Sequence, residues 1–176
     1  MADELVDLRD QHGRIRQYGQ PRNDAARLWP DLFVPVVSVV VIATGTGRVL
    51  VHQRAGTKPR WPDILDHVAG AVHTGEHPEA AVRREVLEEV GIHLGEVTPL
   101  AEGPTERGKY RMLYLGRAEE TEPRPDPAEV AWVGWMDVPT LRQRIVEGVP
   151  TYPDFSADLE LALQNSSPRL HRGESG

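Results

Sequence analysis

At 176 residues the chain is one domain's worth, long enough to bury a single sizeable core, and a second domain is not expected. A formal net charge of −7 argues against a protein that grips extended nucleic acid through a broad basic face, while a local basic pocket for small phosphorylated ligands stays compatible with it. Cysteine is absent, which removes a disulfide framework, a thiolate zinc site and a cysteine nucleophile together.

In chain order, residues 1–33 are expected to form an N-terminal extension packed on the core domain of residues 34–165. The opening Met-Ala-Asp-Glu-Leu-Val-Asp has no cationic segment followed by an apolar one, so it does not read as a signal peptide. Val36 to Ile42 is a β-branched run of the kind found in buried strands, and Arg48 to Arg54 is a second. Thr44-Gly45-Thr46-Gly47 between them is a turn, which predicts an antiparallel hairpin. The longest apolar run, near Val34 to Ala43, is about half a membrane span and contains Pro35 and Ser38. The protein is therefore expected to be soluble and cytoplasmic. Val68 to Val72 reads as a short strand.

A helix is predicted from about Pro78 to Val90. Pro78 suits the first helical position, Glu79 suits the positive end of the dipole, and Gly91 is a natural stop. At roughly 100° per residue, Val82, Val86 and Val90 form a core stripe with Leu87 beside it. Glu85, Glu88 and Glu89 then cluster on the adjoining flank. Glu85 and Glu89 lie one turn apart and repel as an exposed pair, a sign that a bound divalent cation reverses. The ordinary alternative is a solvated acidic face with Arg83 and Arg84 as partners.

Beyond the helix, strands are predicted near Arg111 to Gly116 and Val130 to Trp135, separated by an exposed loop, Glu119 to Pro127. Pro139 opens a helix to about Glu147, and a last helix spans roughly Phe155 to Gln164. Asn165 onward is polar and expected to fray, leaving residues 166–176 as a flexible tail. The mixture of strands and helices predicts an α/β fold with a mixed sheet.

Residues Gly70 to Ile92 also carry a longer pattern. Gly70, Glu76, Arg84-Glu85, Glu88-Glu89 and Gly91, with aliphatic Val86 and Ile92 in place, resemble the Nudix box at every defined position. With these seven fixed residues each at roughly 5–7% usage, a chance match at a given start is on the order of 10⁻⁹. The resemblance covers roughly residues 34–150 and implies the Nudix α/β/α sandwich, with a loop-helix-loop that binds Mg²⁺ or Mn²⁺ and positions a diphosphate for attack by water. It implies Glu85 and Glu89 as principal metal ligands, with Glu88 assisting and the Ala69 carbonyl as a further ligand. Glu76, Arg84 and Gly70 would support them, Arg84 pairing with Glu88 or reaching back to Glu76. A carboxylate free of metal would serve as general base, and both Glu88 and Glu129 are candidates. Glu129 reads equally as a solvated loop residue.

A second resemblance narrows the branch. Arg54-Ala-Gly-Thr-Lys58 followed by Trp61-Pro62, together with Leu5 to Gly13 as a strand-turn opening, looks like Nudix proteins related to isopentenyl diphosphate isomerase. It implies Arg54 and Lys58 as diphosphate-binding residues, against the plain reading of an exposed strand-end arginine and loop lysine. Trp61 is either a loop anchor or a surface on which a base stacks. The isomerase proton shuttle does not transfer. Its cysteine segment corresponds here to Val68-Ala69-Gly70-Ala71-Val72-His73, and its acidic pair after the box to Lys109-Tyr110-Arg111-Met112.

His52, His67, His73, His77 and His93 show no metalloprotease spacing and are expected to be polar loop or strand-end residues, with His67 and His73 nearest the box. The expected activity is metal-dependent hydrolysis of a diphosphate linkage in a small substrate, a nucleoside diphosphate joined to another moiety or a similar molecule. The alternatives are an isomerase-like enzyme, or a nucleotide-sensing module, whose usual signature is loss of box carboxylates; none is lost here. A homodimer is compatible with the resemblance, and no membrane partner is expected.

Overall fold

A computed structural model describes residues 4–166. At its centre lies a mixed sheet of seven strands. Strand β3 (Val34–Ala43) pairs in parallel with β8 (Lys109–Ala118) along its whole length, and β7 (Val97–Pro104) continues antiparallel beyond β8. The other edge of β3 is shared. Val41 and Ile42 pair with Leu50 and Val49 of β4 (Val49–Arg54), closing the predicted hairpin, and then the two strands part. The gap is filled by β5 (Leu65–Asp66), bonded to β4, and β6 (Val68–Ala71), bonded to β3. Strand β9 (Val130–Met136) covers the outer edge of β4. This split brings the end of β4, carrying Arg54, and the end of β6, carrying Gly70, to the same end of the sheet.

Alternation along β3 assigns the layers, since successive side chains of a strand point to opposite faces. Val37, Val39 and Val41 meet Val82, Val86 and Val90 of α2 (Pro78–Val90) on one face. Val40 and Ile42 meet Leu141 of α3 (Val138–Val146) and Phe155 and Leu159 of α4 (Phe155–Ser166) on the other. The result is the expected α/β/α sandwich. Each such side chain, fully buried, contributes about 1.5–3 kcal/mol. Among the described residues no helix is long and apolar enough to cross a membrane.

Several local expectations change. Leu87 is 44% exposed rather than in the core: it lies about 100° beyond Val86, past the edge of the buried stripe. Helix α4 continues through Asn165 and Ser166, where fraying was expected; residues 167–176 of the expected tail lie outside the described residues. Strand β7, which the sequence reading does not include, contains Pro99, Gly103 and Pro104. It is an edge strand, where missing ladder donors are tolerated.

The N-terminal segment forms an antiparallel pair, β1 (Leu5–Arg9) and β2 (Ile15–Pro21), followed by the short helix α1 (Ala25–Leu28). Val6, Leu8 and Ala25 pack against Val34 and Ala71 of the main sheet. Between Val6 and Leu8, the buried Asp7 carboxylate accepts N–H bonds from Gly19 in β2 at 2.9 Å and from Gly75 before α2 at 3.0 Å. Burial alone would raise its pKa, but the Gly75 and Gly19 amides outweigh burial and hold it below the ordinary aspartate value. Asp7→Ala is expected to cost about 2–3 kcal/mol near neutral pH. Because the folded value is the lower one, this contribution is whole above about pH 4 and fades as the pH falls through that range. Thermal melts should show the gap between wild type and Asp7→Ala at about pH 7 narrowing by about pH 3.

Candidate active site

Helix α2 starts and stops through local chemistry. The His77 ring accepts the Glu79 N–H at 3.3 Å, Pro78 occupies the first turn, and Gly91 ends the helix with φ 69°. The first turn thus places Arg84, Glu85, Glu88 and Glu89 against the loop that leaves β6.

Arg84 organises this flank. Its Nε and Nη2 donate to the two oxygens of Glu76, each at 2.9 Å, while Nη2 also donates to the Ala71 carbonyl at 2.9 Å. Its Nη1 donates to Glu85 at 2.7 Å and to Glu88 at 3.3 Å. Both pairings open to Arg84 in the sequence are therefore present at once. Glu76 in turn accepts the His73 N–H at 3.0 Å. Burial would raise the Glu76 carboxyl, but Arg84 and that amide hold it below its ordinary value.

Gly70 has a specific steric role. A Cβ placed on it would lie 1.9 Å from the Glu85 carboxyl carbon, so only glycine admits that carboxylate against the β6 backbone. Burial raises the Glu85 pKa, with Glu88 and Glu4 adding to the effect and Arg84 opposing it. Glu89 is pushed well above the ordinary range by burial, then by the Glu85 and Glu129 carboxylates, with Arg54 opposing.

These groups share one cavity of about 290 Å³. Ala69, Gly70, Glu85, Glu88 and Glu89 line it together with Arg54, Lys58, Asp126 and Glu129, and the Asp126 N–H donates to the Glu89 carbonyl at 2.9 Å. Lys58 is ion-paired with Glu129. Arg54 is held by the loop after β4: its Nε donates to the Trp61 carbonyl at 3.1 Å, Nη2 to the Arg60 carbonyl at 3.4 Å, and Nη1 lies 3.7 Å from Asp66. Trp61 and Asp63 adopt φ of 54° and 60°, an uncommon left-handed backbone that costs on the order of 1 kcal/mol or more for such residues. The Trp61 ring stands edge-on to Tyr152 with centroids 6.0 Å apart and is 44% exposed.

Three contributors to the cavity were not singled out from the sequence as site residues: Glu4, Arg22 and Asp126. Glu4 and Arg22, which flank the paired residues Leu5 and Pro21 at the open end of the N-terminal strand pair, pair with each other at 2.5 Å. No spacing signal announces them, because only the packing of that pair brings them to the site.

The histidines need correction. His52 and His67 are buried rather than loop residues. Burial, with His67 and Arg54 nearby, pushes His52 down to about 3, so it is neutral. His67 pairs with Asp158 of α4 at 2.7 Å, and Asp158 also takes Arg111. Burial would lower the His67 pKa, but Asp158 and Asp66 raise it. His73 lines the cavity. With Arg84 and Lys58 engaging the carboxylates, no three His, Cys, Asp or Glu side chains among the described residues converge as a ready ligand set.

The NUDIX domain family matches residues 32–159. The chain belongs to the Nudix family. It is 30% identical over 163 residues to a Nudix hydrolase of Deinococcus radiodurans, spanning 89% of this chain and 92% of that one. It is 32% identical over 140 residues to an isopentenyl-diphosphate Delta-isomerase of Nocardia farcinica, spanning 70% and 75% of the two chains. The crystal structure of DR0079 from Deinococcus radiodurans superposes with a TM-score of 0.71 at 27% identity, covering 93% of this chain and all of that one. The Nudix pyrophosphohydrolase class accounts for the intact box on α2. Within it, Gly70→Ala is expected to displace Glu85 and lower pyrophosphohydrolase kcat/KM by about 10–100-fold, the usual effect of disturbing groups that orient metal-site carboxylates. Full turnover in that variant, with unchanged circular dichroism, would show that the Glu85 pose against Gly70 is not the working one.

Proposed function

We propose that this Nudix enzyme hydrolyses the diphosphate linkage of a small substrate, a nucleoside diphosphate joined to another moiety, with Mg²⁺ or Mn²⁺ held by the α2 carboxylates. The observation that supports this most is the state of Glu89, a carboxyl buried beside Glu85 and Glu129 with only Arg54 in opposition. Carboxylates crowded in this way are relieved by a hard cation that takes oxygen ligands. Glu85, Glu88, Glu89 and the Ala69 carbonyl would hold it, and all four line the same cavity. Such an ion, when bound, polarises phosphoryl oxygens and lowers the pKa of a bound water.

The protein groups supply the rest. Arg54 and Lys58, which line the same cavity, meet the diphosphate oxygens, neutralising charge and fixing orientation. When Lys58 exchanges Glu129 for a phosphate oxygen, the Glu129 carboxylate is released as a proton acceptor. Glu88, exposed and held only by the long Arg84 contact, is the other candidate base. Water adds across the P–O–P bridge: its oxygen bonds to one phosphorus, the bridging bond breaks, the departing phosphate keeps the bridging oxygen, and one proton passes to the base. Arg84, Glu76 and Gly70 act by positioning Glu85 and Glu88.

The isomerase reading lacks its chemistry in this chain, which has no cysteine and carries Lys109 and Arg111 where that reaction's acidic pair is expected. Glu89→Gln is expected to lower kcat at least about 100-fold while leaving circular dichroism intact, since even groups behind a metal ligand cost 10–100-fold. The decisive assay is purified protein with Mg²⁺ or Mn²⁺ against a broad panel of dinucleotides, nucleoside diphosphate sugars and other small diphosphates. Absence of hydrolysis across that panel would sink the proposal.

A further inference from the structure

Behind the cavity, Asp66 of β5 has a side chain only 4% exposed, and a carboxylate buried to that degree is costly unless cations meet it. Its two oxygens have separate partners. Oδ1 accepts the His67 N–H at 2.9 Å and lies 3.3 Å from the ring Nδ1 of His67, while Oδ2 lies 3.7 Å from Nη1 of Arg54. The polar chain then continues inward: His67 Nε2 is 2.7 Å from Asp158, which also pairs with Arg111. The backbone here is held on both sides. Asp66 and Leu65 pair with His52 and Gln53 of β4, and Leu65 also donates to the Pro150 carbonyl and accepts the Tyr152 N–H, each at 2.9 Å. Asp66 therefore meets Arg54 from a fixed point in the core.

Arg54 lines the cavity, and its other two contacts, to the Trp61 and Arg60 carbonyls, come from the loop after β4, where both residues are exposed. A long side chain held only by such a loop keeps much of its rotamer freedom. Asp66 adds a hold from the opposite, buried side. Because a buried ion pair contributes little net stability, the consequence of this one lies in where it puts the guanidinium. We propose that Asp66 is a positioning residue, whose buried carboxylate, fixed by His67 and by the pairing of β5, holds Arg54 in its cavity pose before any ligand arrives. The inference rests on the proposed function only for what Arg54 then binds, the substrate diphosphate. Ordering the side chain in advance strengthens that binding, since the ligand no longer has to immobilise it.

Two measurements on the full chain test this. The first follows the side-chain Nε–H resonance of Arg54 by NMR, assigned by its loss in Arg54→Met. In the ligand-free wild type its order parameter should exceed about 0.6, below which a group counts as flexible, and in Asp66→Asn it should fall below that value. Asparagine keeps the shape of Asp66 and an acceptor for the His67 N–H while removing the charge. The second is calorimetric titration with methylenediphosphonate, a diphosphate analogue that resists hydrolysis, in the presence of Mg²⁺. Asp66→Asn should weaken its binding about three- to tenfold, the effect of having to order one long side chain on binding, and should add less than about twofold to the loss in Arg54→Met. The Asp66 charge also bears on Glu89, and an effect by that route, or through a loosened fold, would persist in the Arg54→Met background. A flexible Arg54 in the free wild type overturns the proposal even where Asp66→Asn fails to fold. An Arg54 that stays ordered in Asp66→Asn, or a loss of affinity that persists in full on the Arg54→Met background, overturns it as well. An Arg54 that loosens in Asp66→Asn, with no hydrolysis across the diphosphate panel, strikes the hydrolase reading and leaves the role of Asp66 standing.

Discussion

One guanidinium holds the active-site flank together. Arg84 spans the loop before α2, the helix itself and the end of β6 by donating to Glu76, Glu85, Glu88 and the Ala71 carbonyl. A planar fork with five donors can do this at once, which a lysine cannot. The loop from His73 to His77 is drawn onto the helix through Glu76, whose own oxygen takes the His73 amide. Glu85 is pressed against Gly70 in the one place along β6 where no side chain intrudes. Remove the central cation and Glu76 and Glu85 are left partly buried without the guanidinium they share.

Around that clamp, the same carboxylates are kept in electrostatic tension. Glu85 and Glu89 sit above their ordinary pKa because burial and neighbouring acids disfavour their charged forms. Glu76, of the same residue type and only nine residues before Glu85, lies below it because Arg84 meets both of its oxygens. Environment alone separates a carboxylate that is satisfied by protein from carboxylates that remain short of positive charge. On the proposed function, the satisfied one orients and the others are available to a cation.

The far side of the sheet stabilises the site less directly. His67, Asp66, Asp158 and Arg111 form a buried polar chain that ties β5 and its flank to α4. Buried ion pairs of this kind add little net stability, yet losing one partner leaves a buried charge uncompensated. Asp66 is also the residue nearest the Nη1 of Arg54, so this chain ends at the cavity wall. The N-terminal strand pair is tied on in the same manner, by Asp7 reaching Gly75.

Helix α2 was legible to the residue, because its proline, its valine stripe and its glycine stop are local features with one period. The shared cavity of Glu85, Glu88, Glu89, Arg54 and Lys58 could be anticipated only through the box and the motif before it, which carry long-range information in a short pattern. The misjudged positions are those decided at a distance. Leu87 faces solvent because it lies past the edge of the stripe that α2 packs on the sheet, β7 forms despite two prolines because β8 offers an edge, and His52 and His67 are buried because β9 and α4 close over them. Glu4 and Arg22 carry no local mark at all. The amino-acid sequence by itself determined the helix, the order of its carboxylates and the absence of thiol chemistry, since these depend on spacing and composition. Only the tertiary structure decided which charges are balanced and which are left unmet, because burial and Coulomb interaction depend on distances that the chain acquires when it packs.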